Sequence, residues 1–175
     1  MDQFNLQSAI LKEHSKAQCN KIIDWVGDDQ KRFDELLNLF LNGEYRVAQR
    51  AAWPMGYCVE QHPGFIKKHF GALIQNLHKP GIHNSIKRNT VRILEVIEIP
   101  EKYQGEVMNC CFQYLESPTE AVAVKAFSLT VLGNLAKFYP DILPEIKLLI
   151  EEYSPNQTAA FKSRAKHLLK AFEKL

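Results

Sequence analysis

The sequence predicts an all-α solenoid: about four helical hairpins plus an N-terminal capping helix, in a single domain over residues 1–175. Three observations predict it. First, one phrase is written four times, as VAQRAAWPMGYC from Val47, IKRNTVRILEVI from Ile86, VKAFSLTVLGNL from Val124 and FKSRAKHLLKAF from Phe161. The copies start 39, 38 and 37 residues apart, a period that belongs to stacked helical repeats. Second, an apolar stripe with i, i+3, i+4, i+7 spacing precedes each copy, which places one side of a helix against a core. Third, Pro80, Pro118 and Pro155 each fall six residues before a copy, with Asn42-Gly43 at nearly the same place in the first unit. Such residues interrupt a helix and mark a turn between the two helices of a hairpin.

The elements follow in chain order. Residues 1–28 hold a fainter fifth copy, SKAQCNKIIDWV from Ser15, with no room for a full hairpin before it; residues 3–26 are therefore expected to form a mostly single capping helix. Hairpins are expected over 29–63, 64–100, 101–140 and 141–175. Their first helices carry the stripes Phe33, Leu36, Leu37, Phe40; Phe70, Leu73, Ile74, Leu77; Met108, Cys111, Phe112, Leu115; and Ile146, Leu149, Ile150, Tyr153. Pro63, Pro100 and Pro140 close the second helices near His62, Ile99 and Tyr139, because the residue before proline is pushed out of the helical region. Pro144 suits a first helical turn, with Asp141 upstream as its cap. Pro54 lies inside a second helix, where it deletes a backbone hydrogen bond to Arg50 and is expected to bend the helix.

Within each second helix, counting the first residue of the phrase as zero, offsets 4, 8 and 11 share the buried side. Offset 4 is always small (Cys19, Ala51, Thr90, Ser128, Ala165), which permits close helix approach. Offset 8 is the apolar anchor: Ile23, Met55, Leu94, Leu132, Leu169. One hairpin cannot bury both of its faces, so each depends on its neighbours.

Composition excludes several classes. Lys plus Arg number 22 against 20 Asp plus Glu, so total charge announces neither a polyanion-binding tail nor an acidic mimic. No apolar run approaches a membrane span and the first residues lack a secretory pattern, so a soluble cytoplasmic protein is expected. Cys19, Cys58, Cys110 and Cys111 lack CxxC spacing and read as reduced core thiols. The histidines show no metal-ligand spacing, no nucleophile motif is present, and Gly43, Gly64, Gly81 and Gly105 read as turns. No enzyme, metal or cofactor is expected.

The repeated phrase, most clearly at Val124 to Leu135, resembles the HEAT repeat, and the resemblance covers residues 30–175. It departs at Ala48, where the other copies have Lys87, Lys125 and Lys162, and at Glu95 and Lys170, where two copies have Gly56 and Gly133. The resemblance implies a right-handed α-α superhelix, usually a protein-binding scaffold or adaptor, with the second helices lining a concave surface. A minority of such proteins bind nucleic acid, and one branch are alkylpurine DNA glycosylases.

On that surface, offsets 2, 6, 9 and 13 point away from the core. They include Lys21, Asp24, Trp53, Arg88, Arg92, Glu95, Lys137, His167 and Lys170. Trp53 offers a large contact area to a partner, or packs on neighbouring helices. Arg88 and Arg92, four apart, suit a phosphate or carboxylate, or an internal salt bridge with Glu95. The lysine column Lys87, Lys125, Lys162 reads as a link between repeats. Lys162, Arg164, Lys166, Lys170 and Lys174 give the last helix a solvated outer side. Trp53, Arg88, Arg92, Lys21, Lys137 and Lys170 are thus the candidate partner-binding residues, for a protein of unknown identity. The alternative is nucleic acid on the basic members of the row, Lys174 included. In the glycosylase version of that alternative, the resemblance casts Asp24, Trp53 and Arg88 or Arg92 around a damaged nucleotide.

Overall fold

A computed structural model describes residues 4–173. Among them there are ten α-helices and no strand, so the expected all-α stack is what forms. The helices fall into two compact units, one running to Ile93 and the other starting at Leu94.

The first unit opens with α1 (Leu6–Lys12) and α2 (Lys16–Val26). The expectation of a mostly single capping helix is corrected here: the chain breaks between them at residues 13–15. Ser15 supplies the reason. Its Oγ accepts from the Gln18 backbone N–H at 3.1 Å and donates to Glu13 at 2.6 Å, so it starts a new helix as an N-cap. Buried Gln18 then donates through Nε2 to the Ala9 carbonyl at 2.7 Å, closing α1 on α2 as a short hairpin.

The first full hairpin is α3 (Gln30–Asn42) and α4 (Tyr45–Gln61), packed on each other, with α1 and α2 also against α4. Asp29 caps α3 by accepting from Lys31 N and Arg32 N. α4 runs on through buried Pro54 as one helix. Gly43, between the two helices, sits so close to the Leu39 carbonyl that a Cβ there would overlap it, which accounts for glycine at this turn.

In the next hairpin the first helix begins as a 3₁₀ segment, Pro63–His69, continues as α5 (Phe70–Leu77) and is followed by α6 (Asn84–Leu94). Proline starts the 3₁₀ turn because it needs no N–H partner there. α6 ends at Leu94, several residues short of the stop expected at Ile99, and Val96 beyond it is exposed. The 3₁₀ segment is clamped to α3. Asp34 accepts from Lys68 Nζ at 2.5 Å, His69 Nε2 at 2.6 Å and Gln30 Nε2 at 2.8 Å. Burial pushes the Asp34 carboxyl up, but donation from Lys68, His69 and Gln30 outweighs it and holds the pKa down to about 2. A depressed carboxyl stabilises the fold above its unfolded value, about 3.9, and that contribution is lost as pH falls toward about 2. Asp34→Asn is therefore expected to cost about 1 kcal/mol at neutral pH, after discounting for solvent screening, a cost that shrinks as pH falls from about 4 and vanishes below about 2. Urea unfolding of both proteins at a series of acidic pH values checks it; a constant difference across the range counts against the clamp.

The second unit contains α7 (Glu101–Glu116) packed on α8 (Val122–Leu135), then α9 (Leu143–Tyr153) and α10 (Ala159–Phe172), with α10 also against α8. The buried side of α7 is Val107, Cys110, Cys111 and Leu115, while Met108 and Phe112 are only half-buried, a small rotation from the expected stripe. Asp141 does not cap α9: it sits in a 3₁₀ turn, Pro140–Ile142, and Ile142 precedes the helix without a side-chain bond. Thr158 caps α10 by accepting from Phe161 N at 3.4 Å.

The positional logic of the repeat holds. All five offset-4 residues are buried, as are the offset-8 anchors Ile23, Met55, Leu94 and Leu132. Leu169 departs, being half-buried at the last helix. The four cysteines are free and buried, and burial pushes the Cys58 and Cys111 thiols up to about 12, so they are not nucleophiles at neutral pH.

Candidate functional site

Most described residues at offsets 2, 6, 9 and 13 are exposed or partly exposed, while Ala126, Gly133 and Ile99 at those offsets are buried. In the first unit this side of α2, α4 and α6 carries an aromatic and cationic cluster. Lys16, at the start of α2, lies 5.6 Å over the Trp53 ring and 3.9 Å over the Tyr57 ring, both on α4. His14 tilts against Trp53 with centroids 5.4 Å apart. Trp53 is accordingly half-buried and packed by its neighbours, with its remaining area toward solvent. Donation from the Trp53 indole, then from Lys16, lowers the Tyr57 phenol below its ordinary pKa. Lys21, Asp24 and Arg88 are exposed.

Arg92 Nη2 pairs with Glu60 Oε1 at 3.4 Å, joining α6 to α4. The expected bridge to Glu95 does not form, because α6 ends before Glu95 and the chain turns it away. Glu95 instead binds Arg164 of α10. Arg164 also donates to Thr130 Oγ1 of α8 at 2.6 Å and lies 4.9 Å over the Phe127 ring. This corrects the expectation that Arg164 belongs to a solvated outer side: its guanidinium ties α10 to α8 and to the chain after α6. Asn134 extends the tie, donating to the Glu95 carbonyl at 3.1 Å and accepting from Lys137 Nζ at 3.3 Å.

Beside this tie, α8 and α10 enclose a trough of about 450 Å³. Leu168 packs directly on Gly133, where a Cβ would overlap its side chain and push it outward. Lys137 and His167 stand at the rim, both exposed; Lys170 is exposed on the same helix. Lys174 lies outside the described residues.

Of the lysine column, buried Lys125 links adjacent repeats, lying 5.0 Å from the Tyr153 ring of the following hairpin, whereas Lys162 bonds within its own hairpin, donating to the Pro155 carbonyl at 3.3 Å. Among the described residues no group of His, Cys, Asp and Glu could hold a metal ion, and no hydrogen bond or ion pair joins Asp24 to Trp53, Arg88 or Arg92. Lys16, Tyr57 and Arg164 belong to these clusters and were not candidates from the sequence. Lys16 has a faint signal, since it occupies the lysine column in the fifth copy; Tyr57 and Arg164 have none in spacing alone.

Stacked hairpins with small residues at one repeated position and exposed variable residues on the same helices define an α-helical repeat protein. The family model of the HEAT repeat domain matches residues 6–172, and the chain belongs to the HEAT-repeat family. No curated protein and no solved structure matches it. HEAT repeats generally serve as protein-interaction scaffolds and are typically non-catalytic. No helix among the described residues is long and apolar enough to cross a membrane.

Proposed function

We propose that the chain is a non-catalytic scaffold or adaptor that binds a protein partner through the exposed row of its second helices, with Trp53, Arg88, Arg92, Lys21, Lys137 and Lys170 as contact residues. The observation that carries this reading is the surface of the first unit around Arg92, which Glu60 engages, so that both signs are presented together on the helices that carry the partly exposed Trp53 and Tyr57 rings. A phosphate backbone would have to break that pair to engage Arg92; a protein surface with its own charges and apolar anchors need not. The free buried thiols suit a reducing compartment, in keeping with a cytoplasmic location.

The test is a footprint. A partner identified by cross-linking in cells is to be bound to the purified chain and mapped by hydrogen exchange. Trp53→Ala combined with Arg92→Glu is expected to weaken binding about tenfold or more, as loss of an aromatic anchor and a charge does at protein interfaces. Unchanged affinity in the double variant, or tight duplex binding with steep salt dependence, defeats the reading.

A further inference from the structure

Within the second unit, the same repeat positions are covered on α8 and open on α10. Offsets 1, 5, 8, 9 and 12 of the copy on α8 are Lys125, Leu129, Leu132, Gly133 and Ala136, and all are buried. The following hairpin covers them: the Tyr153 ring lies 5.0 Å from the Lys125 ammonium, and Leu168 packs on Gly133. On α10 those offsets are Lys162, Lys166, Leu169, Lys170 and Glu173; the charged residues are exposed and Leu169 is partly so. They line a groove of about 510 Å³ that shares no α10 residue with the α8–α10 trough, with Leu169, Ala165 and Ile150 of α9 as its apolar part. The place where α8 receives a hairpin is therefore unfilled on α10, and the repeat itself shows that what fits there is a helix.

Charge narrows the occupant. The lining is basic, three lysines against Glu173, and the chain of α9 adds only uncharged Ile150 and Ser154. Among the described residues, neither Lys166 nor Lys170 has a hydrogen-bond or ion-pair partner. A second copy of this chain is a poor match. Its partly exposed apolar groove along α1 and α2, with Phe4 and Leu11, is lined by Lys12 and Lys21 and by no carboxylate. Stacking that groove on α10, or α10 on itself, sets lysine against lysine.

We infer that the groove along α10 receives an acidic amphipathic helix of the protein partner, laid on α10 as α10 is laid on α8, with its apolar side on Leu169 and its carboxylates on Lys166 and Lys170. The inference rests on the scaffold reading and names the chemistry of its partner. Leu169 and the lysine stems supply apolar area to be removed from water, while the ammonium groups select against basic segments and speed encounter.

The experiment uses the full chain and two labelled synthetic helical peptides with the same Leu stripe, one flanked by Glu and the other by Lys, followed by fluorescence anisotropy. The Glu peptide is expected to bind saturably, about tenfold or more tighter than the Lys peptide. Lys166→Glu, at an exposed position, is expected to weaken it about tenfold and Leu169→Ala several-fold, with circular dichroism as the check on folding. Adding Lys170→Glu to Lys166→Glu should reverse the preference, so that the Lys peptide binds better. Equal binding of the two peptides, binding by neither, or indifference to Lys166→Glu overturns the inference. So does occupancy by a DNA duplex in preference to the Glu peptide, or sedimentation of the chain alone as a dimer that Leu169→Ala disperses. A cellular partner whose footprint covers Trp53 and Arg92 but whose affinity ignores Lys166→Glu sinks the α10 groove alone and leaves the scaffold reading standing.

Discussion

Leu132→Ala is expected to lower unfolding free energy by about 2–5 kcal/mol, the cost of lost apolar transfer plus an incompletely collapsed cavity. Leu132 is fully buried on α8, the helix that packs on both α7 and α10. A cavity there cannot close by moving one neighbour, since shifting α7 toward it does nothing for α10. The same substitution at Leu169, the equivalent anchor in the last copy, is expected to cost about 1 kcal/mol, because that side chain is already half-exposed. Urea unfolding of the two variants side by side gives the comparison, with hydrogen exchange on α8 reporting whether the loss is local to the second unit. Equal costs at the two positions would show that burial between neighbouring hairpins is not what the repeated leucine provides.

That contrast also shows what was legible in the sequence. Offsets 4 and 8 recur because every second helix meets the same surroundings, so a repeating environment leaves a repeating residue. The small residues at Ala51, Thr90 and Ser128 and the anchors at Met55, Leu94 and Leu132 were visible for that reason, and all are buried. The ends of elements were less visible. Ser15 breaks the amino-terminal segment through one hydroxyl hydrogen bond, and α6 stops at Leu94 although the apolar pattern continues to Ile97 and Ile99. The site was harder still. Lys16 over Trp53 and Tyr57, and Arg164 on Glu95, join residues far apart in sequence through the stacking of helices. Spacing within one helix predicts which side a residue faces, and it placed Trp53, Arg92 and Lys137 on the exposed side. It carries no information on which residue of another helix stands opposite, so spacing pairs Glu95 with Arg88 or Arg92 and cannot see Arg164.

Arg164→Met is the sharper test of that tie, because it removes the charge while keeping much of the stem that packs on Phe127. Glu95 is left with its side chain only 13% exposed and without its cation, and a carboxylate stranded in that position is expected to cost about 2–3 kcal/mol. Thr130 loses its donor as well. If the penalty arises from the stranded charge, the second change Glu95→Met should return most of it, so the double variant is expected to be more stable than Arg164→Met alone. The double-mutant cycle, read from urea midpoints at neutral pH, is expected to give a coupling of about 1–2 kcal/mol. Additive single costs would mean that the guanidinium contributes through Thr130 and its packing on Phe127 and not through Glu95. Because Arg164 and Asn134 both converge on Glu95, coupling of the expected size would identify Glu95 as the residue that holds α10 at the depth where Leu168 meets Gly133. The trough would then depend on a charge pair that lies outside its floor.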